Sequence, residues 1–380
     1  MAKGLTARTM RFALCWLAGV GTLMISGLAA AEYGFDFQRP VTEIARDLLW
    51  LHHLIFFICV IIFIGVFGVM FYSLAAHRKS RGHKAAEFEE NGRLEVLWTI
   101  IPFVILVGMA IPSTATLLKM DDLTQSDMTV KVTGHQWKWQ YEYMDQGVSF
   151  FSLLSTPRAE IYNEQEKNEN YLLEVDQPLV LPVGKKVRFL LTANDVLHAW
   201  WVPQLGVKKD AIPGYINEMW TRIEEPGTYR GQCAELCGKD HGYMPIVVQA
   251  VSEPEFKKWV AQQKQLMVAA ATASDRTWSK QELMGRGQET YNKACAACHQ
   301  PNGKGVPGVF PAIAGSKIAT GPIEGHLNIV LNGKPGTAMQ AFATQLNDAD
   351  IAAVITFQRN AFGNNTGDVV QPSQIKAARK

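Results

Sequence analysis

Charge is sparse and almost balanced in this chain. Asp, Glu, Lys and Arg make up 19% of its 380 residues and leave a net charge of +2. That balance excludes a strongly basic nucleic-acid binder, and the 48% hydrophobic content excludes a disordered or low-complexity polymer. Cysteine is scarce as well. Six are too few to staple a chain of this size as a disulfide scaffold, and four of them fall in two tight pairs, a pattern of metal or cofactor chemistry. Charge is missing altogether from two long runs, 48–76 and 96–118. The small total also conceals opposite pieces: residues 121–260 sum to −6 and residues 281–380 to +3.

The uncharged runs set the topology. Each exceeds the ~20 residues that cross a bilayer, and Pro102 and Pro112 are tolerable in a membrane helix whose freed carbonyls find other partners. Arg78, Lys79, Arg81, Lys84 and Arg93 lie between the runs, so the short loop belongs on the cytoplasmic side and both ends of the hairpin face outward. Residues 1–31 read as a secretory signal, with Lys3, Arg8 and Arg11 ahead of an apolar stretch and Ala29-Ala30-Ala31 as the cleavage site; an uncleaved extra helix is the alternative. The modules after residue 120 are then expected on the periplasmic or outer face of a bacterial inner membrane. His52, His53 and Cys59 in the first span lack paired ligand spacing and read as packing residues. Glu95, an acid at the membrane edge of the second span, is a candidate for a proton path.

Residues 121–260 read as an all-β module, a sandwich or barrel. Short β-branched and aromatic runs (129–132, 137–143, 171–175, 187–191, 219–223, 227–229 and 246–251) alternate with turns at Pro178, Pro182, Pro213-Gly214 and Pro226-Gly227. Within twelve residues the module places Cys233, Glu235, Cys237, His241 and Met244, with His198 upstream. Sulfur and imidazole ligands select copper over hard cations. A mononuclear blue-copper site needs two His, one Cys and a weak Met; here a second Cys stands four residues before the other. Two bridging thiolates could hold two coppers that share an electron, which suits a relay. A disulfide between Cys233 and Cys237, or a Cys2His2 zinc site, are the alternatives, and neither uses Met244.

After a linker over 261–280 comes an amphipathic start, 281–293, and then Cys295-Ala-Ala-Cys298-His299. C-x-x-C-H attaches c-type haem through two thioethers, with the histidine on iron. Met339 is the sole methionine after His299 and is the expected second axial ligand; His326, in the helix-like stretch 323–331, is its rival. Met/His ligation raises haem potential, as an electron carrier requires. A helix is expected over 348–360, and a flexible tail over 363–380.

The copper segment resembles subunit II of haem–copper cytochrome c oxidases, and residues 42–252 share the likeness. The pattern C-x-E-x-C-x3-H-x2-M is complete. So are Asp195-Val-Leu-His198 and Lys209-Asp210-Ala-Ile-Pro213-Gly214, and the aromatic stretch from Gly134 to Tyr143 and Glu95-Val-Leu-Trp98 with Pro102 look like the family's. Residues 281–362 resemble a class I cytochrome c, so the whole is similar to oxidase second subunits that carry a fused cytochrome c.

The resemblance implies a multidomain membrane protein: a two-helix transmembrane hairpin, an all-β cupredoxin-like domain and an all-α cytochrome c domain. It implies that His198, Cys233, Cys237, His241 and Met244 bind a dinuclear copper centre, CuA. Glu235 would bind copper through its carbonyl and reach a magnesium ion at the border with subunit I through its side chain. Trp137 would be the aromatic residue through which electrons enter, and Glu95 would sit at the mouth of a proton channel. Trp139 reads as core. Two positions depart from the family pattern: Lys138 stands where an aromatic is common, and Gln340 where many relatives have proline after the methionine.

The expected function is that of the electron-accepting subunit of a proton-pumping oxidase. A cytochrome c or a quinol–cytochrome c reductase would reduce the haem, the copper pair would follow, and electrons would pass on to haem a of subunit I for the reduction of oxygen to water. The expected partners are subunits I and III, the donor and membrane lipid, with no nucleic acid. The two spans lack the multiple histidines of an oxygen-reducing site. Quinol-oxidase second subunits lack the copper ligands found here. The copper subunit of a nitric oxide reductase and a membrane-anchored copper-binding or redox-sensing protein are the other readings.

Overall fold

A computed structural model describes residues 36–379 apart from 85, 86 and 88. The expected signal segment, 1–31, lies outside the described residues. Two long helices come first, α1 (Glu43–Ala76) and α2 (Gly92–Asp121). Thr42 caps α1 by accepting the Ala45 amide at 3.0 Å, and the Asn91 side chain accepts the Leu94 amide to cap α2. Their apolar side chains, among them Phe63, Val69, Phe103 and Ile111, are exposed, as lipid-facing residues must be. α2 continues through Pro102 and Pro112.

The outer ends of the hairpin are fixed to the next module. Lys119 Nζ reaches Glu43 at 2.5 Å and Asp47 at 2.7 Å, the Lys119 carbonyl accepts from Trp220 Nε1 at 3.1 Å, and Arg46 forks onto Glu224. Gly206, at φ 68°, lies against Ala45, where a Cβ would come within 2.7 Å of the α1 backbone. Glycine is required there on both counts.

That module is a sandwich of two five-stranded sheets. Its strands are β1 (Met128–His135), β2 (Lys138–Tyr143), β3 (Val148–Ser152), β4 (Leu179–Pro182), β5 (Val187–Ala193), β6 (His198–Val202), β7 (Val207–Ala211), β8 (Asn217–Thr221), β9 (Gly227–Cys233) and β10 (Pro245–Val251). One sheet has the order β3-β2-β1-β5-β8 and the other β4-β10-β9-β6-β7, with β1–β5 and β4–β10 parallel. Period-two burial is plain in β5, where Val187, Phe189, Leu191 and Ala193 point inward. Trp139, Tyr141, Tyr143 and Trp200 fill the core with their polar tips satisfied: Tyr143 Oη donates to the Val180 carbonyl at 2.8 Å, and Trp200 Nε1 donates to Tyr141 Oη.

The strand readings at 129–132, 187–191, 227–229 and 246–251 fall inside observed strands. Residues 171–175 do not form a strand; Leu172 takes φ 59°, and pairing is confined to one bridge between Leu154 and Val175. Strands β3, β4, β6 and β7 lie outside the runs named from the sequence. β7, Val-Lys-Lys-Asp-Ala, is an edge strand whose exposed charges conceal its period.

α3 (Glu253–Asp275) starts at a capping box between Ser252 and Glu255 and packs Phe256 and Trp259 on Tyr143. It then runs on through most of the stretch expected to be a linker. The last module holds α4 (Lys280–Ala294), α5 (Ile323–Asn332), α6 (Asp348–Asn360) and α7 (Pro372–Ala378). The flexible tail expected over 363–380 is corrected: Val370 and Ile375 are fully buried, α7 packs on α6, and Gln371 exchanges two hydrogen bonds with the Trp278 backbone.

α4 crosses α6 at Gly287, where a Cβ would fall 2.1 Å from the Ala353 carbonyl oxygen and 2.6 Å from Phe357. Gly287→Ala is expected to destabilise this module by about 1–3 kcal/mol through overpacking. Thermal melting of the haem-loaded protein, followed in the haem absorption, would show it as a lowered midpoint; an unchanged midpoint would mean that the crossing can open at no cost.

Candidate functional site: a copper cluster facing a haem-attachment loop

The end of β9, the loop after it and the start of β6 bring the sulfur and imidazole groups together. Cys233 Sγ lies 3.9 Å from His198 Nδ1, 3.9 Å from Cys237 Sγ and 3.4 Å from the Glu235 carbonyl oxygen. Cys237 Sγ lies 3.4 Å from His241 Nδ1 and 3.5 Å from Met244 Sδ. All six groups named from the sequence therefore converge. His198, Cys233, Cys237 and Met244 are buried, and both cysteines are free thiols. Two central sulfurs, each with its own imidazole, and a thioether and a carbonyl at the flanks fit two soft ions better than one tetrahedral zinc. The thiol pair shares a proton: the hydrogen bond from Cys237 draws Cys233 down toward the thiolate, and the same contact pushes Cys237 up.

Three neighbours stand inside the motifs quoted above but were given no role from the sequence. Asp195 Oδ1 holds His198 Nε2 at 2.9 Å, fixing the ring so that Nδ1 faces the sulfurs. Burial alone would raise the Asp195 carboxyl, but the His198 hydrogen bond and the Gln136 and Val196 amides outweigh it and hold it low. Gln136 Nε2 donates to the Cys237 carbonyl at 2.9 Å. Gly134 supports the His198 ring: a Cβ there would sit 2.8 Å from Cδ2. Asp195 had a signal, three residues before the histidine; Gln136 and Gly134 reach the site only through the sheet.

Trp137 is half-buried and donates from Nε1 to the Cys237 carbonyl at 3.1 Å, one residue's backbone from a central sulfur. Trp139 is fully buried and T-stacked on His198, as a core residue. Glu95 is elsewhere, in the first turn of α2, where its carboxylate accepts the Asn91 amide at 3.3 Å. The Glu235 side chain is half-buried, next to the exposed Leu236.

Cys295, Cys298 and His299 follow α4 on one helical turn. His299 Nδ1 faces the Pro311 carbonyl at 2.8 Å, which makes it the donor nitrogen and leaves Nε2 free for iron. Burial lowers the pKa of this imidazole, and the Pro311 bond opposes that shift. Met339 packs half-buried against the core of the same module. Its rival His326 is buried with Nε2 2.8 Å from Gln358 Oε1, and burial lowers its pKa to about 4. The thiol pair, the free Nε2 and a thioether in the opposing loop fit a covalently held haem.

Fold and site together define a membrane-anchored electron carrier with a copper module and a c-type haem module. Family profiles agree. "Cytochrome C oxidase subunit II, transmembrane domain" matches residues 30–116, "Cytochrome C oxidase subunit II, periplasmic domain" matches 128–251, and "Cytochrome C oxidase, cbb3-type, subunit III" matches 282–357. A probable cytochrome c oxidase subunit 2 from Rickettsia bellii is 37% identical over 246 residues, covering 64% of this chain and 90% of the relative. The cytochrome c oxidase subunit 2 of Cereibacter sphaeroides is 38% identical over 242 residues, covering 60% and 80%. The solved periplasmic domain of the Bradyrhizobium japonicum oxidase subunit II is 42% identical and covers 38% of this chain and 97% of that one, with a TM-score of 0.34.

The chain belongs to the cytochrome c oxidase subunit II family and carries a fused C-terminal cytochrome c domain. It is a membrane-anchored subunit of a cytochrome c oxidase with a periplasmic domain, an electron-transfer role, a CuA copper site and a haem c. Subunit I is its partner and a cytochrome c its donor.

Proposed function

We propose that electrons pass through this chain in a fixed order: from an external donor to the haem held by Cys295, Cys298, His299 and Met339, then past Trp137 to the copper site, then to haem a of subunit I, where oxygen is reduced with proton pumping. The observation that carries this reading is the contact between Trp137 Nε1 and the Cys237 carbonyl, in a chain that also bears a complete haem-attachment loop. The haem and a pair of copper ions each take up and release single electrons.

The protein's own residues do the rest. Cys233, Cys237, His198, His241, Met244 and the Glu235 carbonyl would hold the copper ions, which would supply one-electron redox chemistry there. Asp195 fixes His198, and burial of the thiols, His198 and Met244 keeps water away so that little must reorganise when charge changes. The Glu235 carboxylate would take a magnesium ion at the border with subunit I. The exposed Leu197 and Leu236, beside the ligands, suit a surface that a partner subunit covers. Glu95 would feed the proton channel from the cytoplasmic end of α2, the anchor would sit in the lipid of the bacterial inner membrane, and a subunit III would complete the complex.

Metal and haem analysis of the purified complex tests this reading. One c-type haem and two coppers are expected in this chain, with the haem reduced before the copper when donor is added. A copper site that fills with electrons first, or a haem that stays oxidised through turnover, would overturn the order.

A further inference from the structure

Lys138 and Gln340, the two departures from the family pattern, meet at one face. Gln340 follows Met339 directly. Its carboxamide nitrogen donates to the Gln136 carbonyl at 2.8 Å and to Asp195 Oδ2 at 3.1 Å, across 204 and 145 residues of sequence. Its carboxamide oxygen accepts from Gln345 Nε2 at 3.2 Å, so the group's orientation is set from both ends. Asp195 accepts Gln340 and the Gln136 amide on Oδ2, and holds the copper ligand His198 on Oδ1.

Two lysines of the copper module flank this link. Lys138 is buried, 5.1 Å from the Phe151 ring centre and 5.3 Å from that of Phe342, and it is close enough to Asp195 for that carboxylate's charge to act on it. Lys239 Nζ donates to the Ala297 carbonyl at 3.3 Å and lies 5.6 Å from the Phe310 ring. The copper module therefore grips both halves of the haem-binding sequence, the cysteine turn and the methionine loop.

We propose that Gln340 is a positioning residue: its carboxamide latches the Met339 loop to Asp195, behind the copper ligand His198, and seats this chain's own haem site over the electron-accepting face of its copper site. The proposal rests on the electron route given above. A carboxamide suits the task because its NH2 offers two donors to two acceptors, where a proline side chain would offer none. A donor to a carboxylate makes the stronger kind of hydrogen bond. The step it serves moves one electron, from ferrous haem to the oxidised copper pair, with no bond made or broken. With Trp137 half-buried and Lys138 covered by Phe342, an external donor meets the haem module first.

The test uses the intact, fully loaded oxidase, with haem c reduced by a light flash and copper reduction followed in time. Gln340→Ala is expected to slow haem-to-copper transfer about tenfold, the scale of one hydrogen bond to a charged group. Gln340→Glu, of equal length, is expected to slow it further, because a carboxylate then faces Asp195. The haem midpoint potential and copper spectrum should not change in either. That ranking, with potentials fixed, is a signature that mere loss of packing would not give. Rates equal to the parent's in both variants overturn the latch, whereas a parent complex that passes no electron from haem c to copper overturns the route itself. If the Gln340 variants lose haem, Lys239→Gln carries the test from outside the cytochrome module: slower transfer is expected, and an unchanged rate overturns the seating.

Discussion

Replacing Cys237 with serine is expected to empty the copper site and stop oxygen uptake while leaving haem c attached and reducible. Cys237 Sγ is within 4 Å of Cys233 Sγ, His241 Nδ1 and Met244 Sδ, so one atom joins half of the ligand set. A serine oxygen is hard and protonated at neutral pH, and a soft ion does not accept it in place of a thiolate. The backbone carbonyl of residue 237, which holds Gln136 and Trp137, survives the change, so the docking face should persist. Loss of an outer-shell partner of a metal typically costs about 10–100-fold in affinity or activity, and loss of a residue that would hold the metal directly should cost more. The checks are the copper-to-haem ratio and oxygen uptake in the purified complex. Full copper retention would mean that the sulfur is not a ligand. Uptake at the parent rate without copper would remove the site from the electron path.

Met339→Leu is expected to lower the midpoint potential of haem c by an amount on the order of 100 mV, a fraction of the ~0.8 V that axial ligation spans. A thioether favours the ferrous state and a hydrocarbon cannot bind iron. The swap nearly conserves volume, so the module should still fold. Its loop is held independently of the side chain, by Lys334 N–H to the Met339 carbonyl at 2.9 Å and by the Met339 amide to Thr337 Oγ1 at 3.2 Å. Redox titration of the haem absorption checks the shift. If the potential stays put and His326→Gln lowers it instead, the second ligand is His326, which would then have to leave Gln358.

The opposite charges of the two modules bear on the same contact. The acidic copper module and the basic cytochrome end would attract at a distance, while the tether raises their effective concentration. The seated contacts, however, do not follow the net charges. Lys138 and Lys239 belong to the acidic module and point at the cytochrome, each over an aromatic ring. Burial pulls the Lys138 pKa down to about 8, so its ammonium is mostly retained at neutral pH and lost as the pH rises past that value. Net charge can set how often the modules meet; these residues set how they sit.

Much of the molecule was legible in the sequence because its chemistry is local. Uncharged runs longer than a bilayer, five ligand groups within twelve residues and C-x-x-C-H each report on a single segment. The strands that went unread failed for a physical reason: β7 is an edge strand of charged residues, and β6 is His-Ala-Trp-Trp-Val with one side chain exposed, so neither shows a clean period of two. The tail at 363–380 looked polar and loose. What orders it is contact with α3 and α6, which no window along the chain contains.

By itself, the sequence determined which groups this protein carries and on which side of a membrane they belong, because ligand identity and hydrophobic length are properties of residues in order. Tertiary structure decided how those groups are aimed. The Asp195 bond that turns His198 toward the sulfurs, the Pro311 carbonyl that frees His299 Nε2, and the Gln340 link across 145 residues to Asp195 are all contacts between distant segments. Their directions exist only once the two sheets and the helices have packed.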